Sequence, residues 1–440
     1  MKYSAIVKTG RYTPFLVLFY LMSIFPIDLN AQGMKAEIVK KDEGFKLIRG
    51  GEPYYIKGAG GGSHLDMLVK MGGNSIRTWS FSKERMDRAH QHGLTVLMGH
   101  RMGKPRQGFD YHDEKAVAEM IDRIMRDTKS VKDHPALLMW ALGNEVELFA
   151  SHEQTILAWK TMNELAKQIK EIDGNHPVIT VLSGEGDRRL EEIEKYCPEL
   201  DAIGINGYGS MMRLKPNILK QKYPKPYVIC EFGPRGHWES PMTPWGAVIE
   251  QNTSEKMQHY FQSYQSTIAK EPRCLGSYVF LWGQKQEKTH TWYGMFLSDG
   301  SATATVDAIS RAWTGDWPDN RAPLIGPDGI QITAKEKMQQ DQWNCFSTGT
   351  IVNCGVKAWD PEGELVTIKW DLRKDVSDAP GVGGDREPSN PPIDNSILSS
   401  QGKEAVVQLP QLPGRYRIFV YVYDNGGRAA TANVPILVRE

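Results

Sequence analysis

Ala136-Leu137-Leu138-Met139-Trp140-Ala141-Leu142-Gly143-Asn144-Glu145 runs from seven apolar residues into a glycine, an amide and a carboxylate. A second segment, Tyr227-Val228-Ile229-Cys230-Glu231-Phe232-Gly233, has the same form. Continuous apolar runs of this length read as strands buried on both faces, as in parallel sheets. Burying an ionised carboxylate costs several kcal/mol unless it is paired or functional. Two glutamates at the ends of two such strands point to a pair of carboxylates working on one bond.

Working outward, six more runs of the same kind appear: Tyr54–Ala59, Ser75–Trp79, Thr95–His100, Val178–Ser183, Ala202–Tyr208 and Ser277–Trp282. Amphipathic stretches lie between them. Lys115–Lys132 carries Val117, Met120, Ile121, Ile124 and Met125 on one stripe. Gln154–Ile172 carries Ile156, Leu157, Met162, Leu165 and Ile169, and Asp173-Gly174-Asn175 stops it. Strand and helix alternating over about 230 residues imply an α/β chain with a (β/α)8 TIM barrel. A doubly wound open sheet is the alternative. The Gly58–Gly62 run lacks GxGxxG spacing and no P-loop lysine follows, so it reads as a loop at the barrel mouth rather than a phosphate cradle.

Near residue 315 the composition changes. Gly315-Asp316-Trp317-Pro318 through Gly326-Pro327-Asp328-Gly329 is rich in turn formers. Beyond it, Val352–Ala358, Leu365–Trp370, Ala405–Leu409 and Tyr416–Tyr423 alternate apolar and polar residues, the pattern of an all-β sandwich. Ser377–Pro392 reads as a long polar loop within it. At the other end, Lys2, Lys8 and Arg11 precede an apolar stretch from Pro14 to Ile27, and Ala31 offers a small residue for cleavage. The expected organisation is a signal peptide over 1–31, a catalytic barrel over 32–314, a linker over 315–329 and an immunoglobulin- or PKD-like sandwich over 330–440. Such a protein would be exported to the periplasm or beyond, with no stable membrane insertion after cleavage.

Lys plus Arg and Asp plus Glu are both 53, which gives no basic footprint for nucleic acid. Of five cysteines, Cys345 and Cys354 flank a turn-like Ser347-Thr348-Gly349 and suit a hairpin disulfide in an oxidising compartment; the other three read as core thiols. No Cys/His spacing suits zinc, so no metal and no cofactor are expected.

Barrel enzymes place their chemistry at the C-terminal ends of the strands. Those ends here deliver Arg77 and Trp79, His100, Asn144 and Glu145, Asn206 and Tyr208, Glu231, and Trp282. One carboxyl must be protonated near neutral pH to serve the leaving oxygen, and the other ionised to attack. Arg77 and Tyr208 suit the support of an ionised carboxylate, Asn144 a sugar hydroxyl, and Trp282 an apolar floor. Trp238, in the loop after the seventh strand, is a further substrate contact. Trp245 and Trp292 are weaker ones. Glu147 and Glu185 are competitors for a catalytic role.

These motifs resemble those of the retaining glycosidases of clan A. Asn144-Glu145 matches the clan's acid/base signature and Glu231-Phe232-Gly233 its nucleophile, 86 residues further on. The resemblance spans roughly residues 36 to 313 and is to family 2-type barrels and to bacterial β-1,3-glucanases with an immunoglobulin-like C-terminal domain. It implies Glu145 as acid/base, Glu231 as nucleophile, a covalent glycosyl–enzyme intermediate and carboxyls about 5 Å apart. The expected activity is hydrolysis of β-glycosidic bonds in a poly- or oligosaccharide, a β-1,3-glucan first. A transglycosylase using the same glutamates, a barrel that binds glycans without turnover, and a structural surface protein are the alternatives.

Overall fold

The computed structural model describes residues 33–42, 44–186, 188–334, 343–377 and 387–440. The expected signal segment, 1–31, lies outside them, as do residues 378–386 of the expected polar loop.

The chain enters through an antiparallel sheet, β1 (Ala36–Lys41), β2 (Gly44–Arg49) and β3 (Glu52–Tyr54). Eight parallel strands then close into a barrel. They are β4 (Ile56–Gly60), β5 (Ser75–Arg77), β6 (Thr95–His100), β7 (Leu137–Leu142), β8 (Val178–Leu182), β9 (Ala202–Asn206), β10 (Tyr227–Phe232) and β11 (Cys274–Val279). Each pairs with the next, and β11 pairs with β4. All eight expected strands are present, and the last ends earlier than expected, at Val279.

The side-chain period of two sorts the strand residues. Leu97, Ala141, Val181, Cys230 and Tyr278 face the barrel interior, where Ala36 and Leu47 of the N-terminal sheet join the same core. Val96, Met98, Trp140, Leu142, Ile203 and Ile205 face the helices. The helices form where the periodicity places them. Glu114–Val131 is capped by Asp113, whose carboxylate accepts from the Ala116 N–H at 3.0 Å. His152–Ile172 is capped by Ser151 and buries Ala158, Met162, Leu165 and Ile169. Among the described residues no helix is long and apolar enough to cross a membrane.

The C-terminal part is a two-sheet sandwich. One sheet has the order β12 (Ala302–Thr303), β20 (Arg428–Arg439), β19 (Gly414–Tyr423), β16 (Thr367–Lys374), with β14 (Cys345–Ser347) also on β20. The other has the order β13 (Leu324–Ala334), β15 (Ile351–Trp359), β18 (Glu404–Gln408), β17 (Ile397–Gln401). Val352, Leu372, Val407, Ile418, Val420 and Ile436 fill the space between them. Two expectations are corrected here. β13 starts at Leu324, inside the segment read as linker, because its turn-rich residues are bulged strand: Ile325 pairs with Ala358 and the ladder resumes at Ile330. Cys345 and Cys354 are not disulfide-bonded to each other but lie on opposite sheets, since the turn between them carries the chain from one sheet to the other rather than closing a hairpin.

The sandwich is fastened to the barrel by buried polar contacts. Arg417 donates to the Val248 carbonyl at 2.6 Å, and Asn433 donates to Glu250 at 2.6 Å. The Thr431 N–H donates to the Thr253 hydroxyl at 3.0 Å, and Arg428 lies 3.4 Å from Asp307.

Candidate active site

Glu231 reaches the barrel mouth through an irregularity in its strand. Ile229 pairs with Ile205, but the next residue of β10 to pair is Glu231, opposite Asn206. The extra residue, Cys230, makes a bulge, the device by which a strand re-aims a side chain. Cys230 faces the barrel interior and Phe232 the helices, and the bulge turns Glu231 into the mouth. Arg77 fixes this geometry. Its Nη1 donates to the Cys230 carbonyl at 2.7 Å and to Glu231 Oε1 at 2.9 Å. Trp79 Nε1 donates to the same oxygen at 2.8 Å, and the Tyr208 hydroxyl to Oε2 at 2.8 Å. A carboxylate, an acceptor only, satisfies all three donors at once. Burial, and then the charge of Glu231, push the Tyr208 phenol well above its ordinary value, so it stays a donor.

Glu145 is presented differently. It follows β7 in the left-handed region at φ 53°, a conformation that costs a non-glycine residue on the order of 1 kcal/mol. Its N–H donates to the Val181 carbonyl at 2.8 Å, which holds the turn. Asn206 Nδ2 donates to Glu145 Oε1 at 2.7 Å. Burial and then the charge of Glu231 push the Glu145 carboxyl up to about 7, against the opposing effect of the Asn206 hydrogen bond. Asn144 sits between the two glutamates. Its Oδ1 accepts from Arg77 Nη2 at 2.5 Å and from Asn206 Nδ2 at 3.3 Å, which leaves its own amide N–H groups for the cleft.

The two glutamates share a cleft of about 820 Å³ with Asn144, Asn206, Tyr208, Trp79, Trp238 and Phe280. Trp238 is 55% exposed and sets its edge on Tyr208. Among the described residues no group of histidines, cysteines and carboxylates is disposed to hold a metal ion.

With this geometry in hand, comparison with known proteins is informative. The family model for the TIM barrel domain of the glycosyl hydrolases family 2 matches residues 67–291, just over half of the chain. The chain belongs to this family. It is similar to human β-glucuronidase, 24% identical over 237 residues that make up 46% of this chain and 34% of that protein. It is also similar to the β-glucuronidase of Paenibacillus borealis, 25% identical over 238 residues, 44% of this chain and 37% of that protein. The chain thus spans about a third of the length of the curated relatives it matches. Among solved structures, Bifidobacterium dentium β-glucuronidase complexed with coumarin-3-O-glucuronide is similar at a TM-score of 0.50 and 17% identity, covering 65% of this chain and 50% of that one. At that identity the likeness is one of fold.

Within this family 2 barrel, three of the residues read at the strand ends do not line the cleft, and Arg77 takes the carboxylate-supporting place expected of it. Arg77 is 1% exposed and lies beneath the carboxylates, positioning them rather than meeting a ligand. His100 has the strand parity of Val96 and Met98, so it points outward. There it stacks on Trp140 and Phe81 and meets the Thr128 hydroxyl at 3.1 Å, and burial pushes it down to about 3. Trp282 lies past the end of β11, buried, with Nε1 donating to the His64 carbonyl and its ring against Phe296. The aromatic that faces the cleft from this strand end is Phe280. Trp292 is likewise buried, donating to the Arg235 carbonyl. Of the competing glutamates, Glu147 accepts from the Ser183 N–H at 2.8 Å and hydroxyl at 3.0 Å, tying two loops together. Glu185 accepts from Asn217 at 2.5 Å, outside the cleft wall.

Other lining residues went unnoticed in the sequence. His237, Lys285 and Glu287 form one polar wall: Lys285 donates to Glu287, and His237 Nε2 lies 3.6 Å from Glu287. Arg101, Lys104 and Arg106 form another. The available signal was positional, since all six residues lie in loops that follow barrel strands.

Proposed function

We propose that the chain is a retaining β-glycosidase in which Glu145 is the general acid/base and Glu231 the nucleophile. The observation that carries this reading is the opposite treatment of two carboxyls in one cleft. Glu145 is raised to about 7 by burial and by its neighbour's charge, while Glu231 is gripped by Arg77, Trp79 and Tyr208. A protonated Glu145 gives its proton to the departing glycosidic oxygen as Glu231 attacks the anomeric carbon. Ester formation removes the charge of Glu231, which relieves the repulsion on Glu145. Its pKa then falls and it serves as the base that activates water. The free N–H groups of Asn144 suit a sugar hydroxyl. Asn206 Oδ1, buried and without a partner among the described residues, suits a second.

Membership of family 2 supports the reaction class. The sugar is part of the proposal. The curated relatives are named β-glucuronidases, so β-glucuronides head the substrate panel. The β-1,3-glucan expected from sequence has no counterpart among these relatives, and laminarin enters the panel as the comparison polymer. Export and removal of residues 1–31 belong to the proposal as well, and N-terminal sequencing of the secreted protein tests them. The decisive experiment is turnover of aryl β-glucuronides, β-galactosides and β-glucosides and of laminarin by the purified protein beside Glu231→Ala. Release of product that the variant abolishes supports the assignment. Binding of these sugars without any turnover would instead favour a glycan-binding barrel.

A further inference from the structure

The loop after β6, Arg101-Met102-Gly103-Lys104-Pro105-Arg106-Gln107, carries three cations and no acid. Arg101, Lys104 and Arg106 all line the cleft. The loop is held from behind. The Tyr111 hydroxyl donates to the Gly103 carbonyl at 2.8 Å, and the Gln107 and Phe109 N–H groups donate to the Lys104 carbonyl at 2.9 and 3.3 Å. A side chain at 103 would collide with the Phe109 ring, so only glycine lets the loop lie this close. The Lys104 ammonium is half-buried, which lowers its pKa, yet no carboxylate among the described residues is within ion-pair reach of it. Its strongest charged neighbour is Glu145, ahead of Arg106 and Glu231. On the opposite wall Lys285 is neutralised by Glu287, whereas Lys104 meets no such carboxylate among the described residues.

A desolvated cation that faces a cleft without a counterion is costly unless a ligand supplies the charge. We propose that the substrate carries an anionic substituent, a carboxylate or a sulfate ester, on the sugar unit that leaves, and that Lys104 receives it with Arg101 and Arg106. The inference rests on Glu145 being the acid, because that places the Lys104 side of the cleft with the leaving group. It concerns the departing unit and not the sugar whose anomeric carbon is attacked.

The test uses the full protein and three matched leaving groups, 4-hydroxybenzoate, 4-hydroxybenzenesulfonate and 4-hydroxybenzamide, each as its β-glucuronide, β-galactoside and β-glucoside. The expected result is a kcat/KM for an anionic leaving group about tenfold above that for the amide at low ionic strength, falling as salt is added. That ratio should drop to near one in Lys104→Met and be largely kept in Lys104→Arg. Arg106→Gln, which leaves Lys104 in place, should reduce it partly. The benzoate and sulfonate arms tell a carboxylate from a sulfate site. Turnover of the amide with no preference for the anions overturns the inference and leaves the glycosidase reading standing. A preference that survives Lys104→Met, with thermal melting showing the variant folded, also overturns it. Absence of turnover on every glycoside, equal to Glu231→Ala, overturns the underlying reading and the inference with it.

Discussion

Two buried carboxyls of this molecule, Glu250 and Glu145, are treated in opposite ways. At the barrel–sandwich interface, Glu250 accepts from Lys256 at 2.5 Å, from the Thr289 and Thr291 hydroxyls at 2.6 and 2.9 Å, and from Asn433 at 2.6 Å. Burial alone would raise it, but Lys256 and these donors outweigh burial and hold it below the ordinary carboxylate range. In the cleft, Glu145 and Glu231 stand together, Arg77 pairs with Glu231, and Glu145 is pushed up to about 7. Full pairing fixes structure and leaves nothing to titrate. Deliberately incomplete pairing keeps a proton near neutrality, where it can be transferred.

The contrast makes predictions that differ in kind. Glu231→Ala should lower kcat on the order of 10⁴-fold, read with a good aryl leaving group, while circular dichroism shows the fold intact. Retention of more than a tenth of the activity would remove Glu231 as nucleophile. Glu250→Ala should do the reverse. It strands a buried lysine and should cost about 3–5 kcal/mol by denaturant titration, with kcat per folded molecule little changed. A variant with unchanged stability would mean that the interface cluster is not the pin described here. Tyr208→Phe takes one charge-assisted hydrogen bond from Glu231 and should slow turnover by roughly 10- to 100-fold.

The pH dependence sharpens the same comparison. Glu145 is raised in the folded state from 4.5 to about 7. Its contribution to stability is therefore fully present below about 4.5 and is lost as pH rises through about 7. Activity that needs its proton should fall over the upper part of that window. Glu145→Gln should flatten this component of the stability profile. A profile identical to the parent would show that Glu145 does not titrate there. The smallest effect is expected at His100. Because it lies behind the strand, His100→Gln should shift melting modestly and leave KM within about twofold, whereas a tenfold rise would put it back in the cleft.

How much of this was legible in the chain differs from residue to residue. Apolar runs and amphipathic stripes needed only local periodicity, so all eight barrel strands and both long helices could be placed. The alternation Val96, Met98, His100 already carried the outward direction of His100, and Arg77 shares the inward parity of Ser75, whose hydroxyl meets Tyr278 inside the barrel. Glu231 could not be oriented that way, because the bulge at Cys230 breaks parity and is stabilised by Arg77, more than 150 residues earlier. Lys104 could not be found at all. Its meaning depends on which charges face it across the cleft, and those come from residues far along the chain such as Glu145 and Glu231.

By itself, then, the sequence determined the barrel, the sandwich and the two strand-end glutamates, because burial patterns and strand ends are properties of short stretches of chain. Only the tertiary structure decided which way those side chains point, which carboxyl is pushed up by burial and a neighbour's charge, and which of the described cations meet the cleft. Those are properties of distances between residues far apart in the chain, and electrostatic energies depend on distance and burial rather than on order in the sequence.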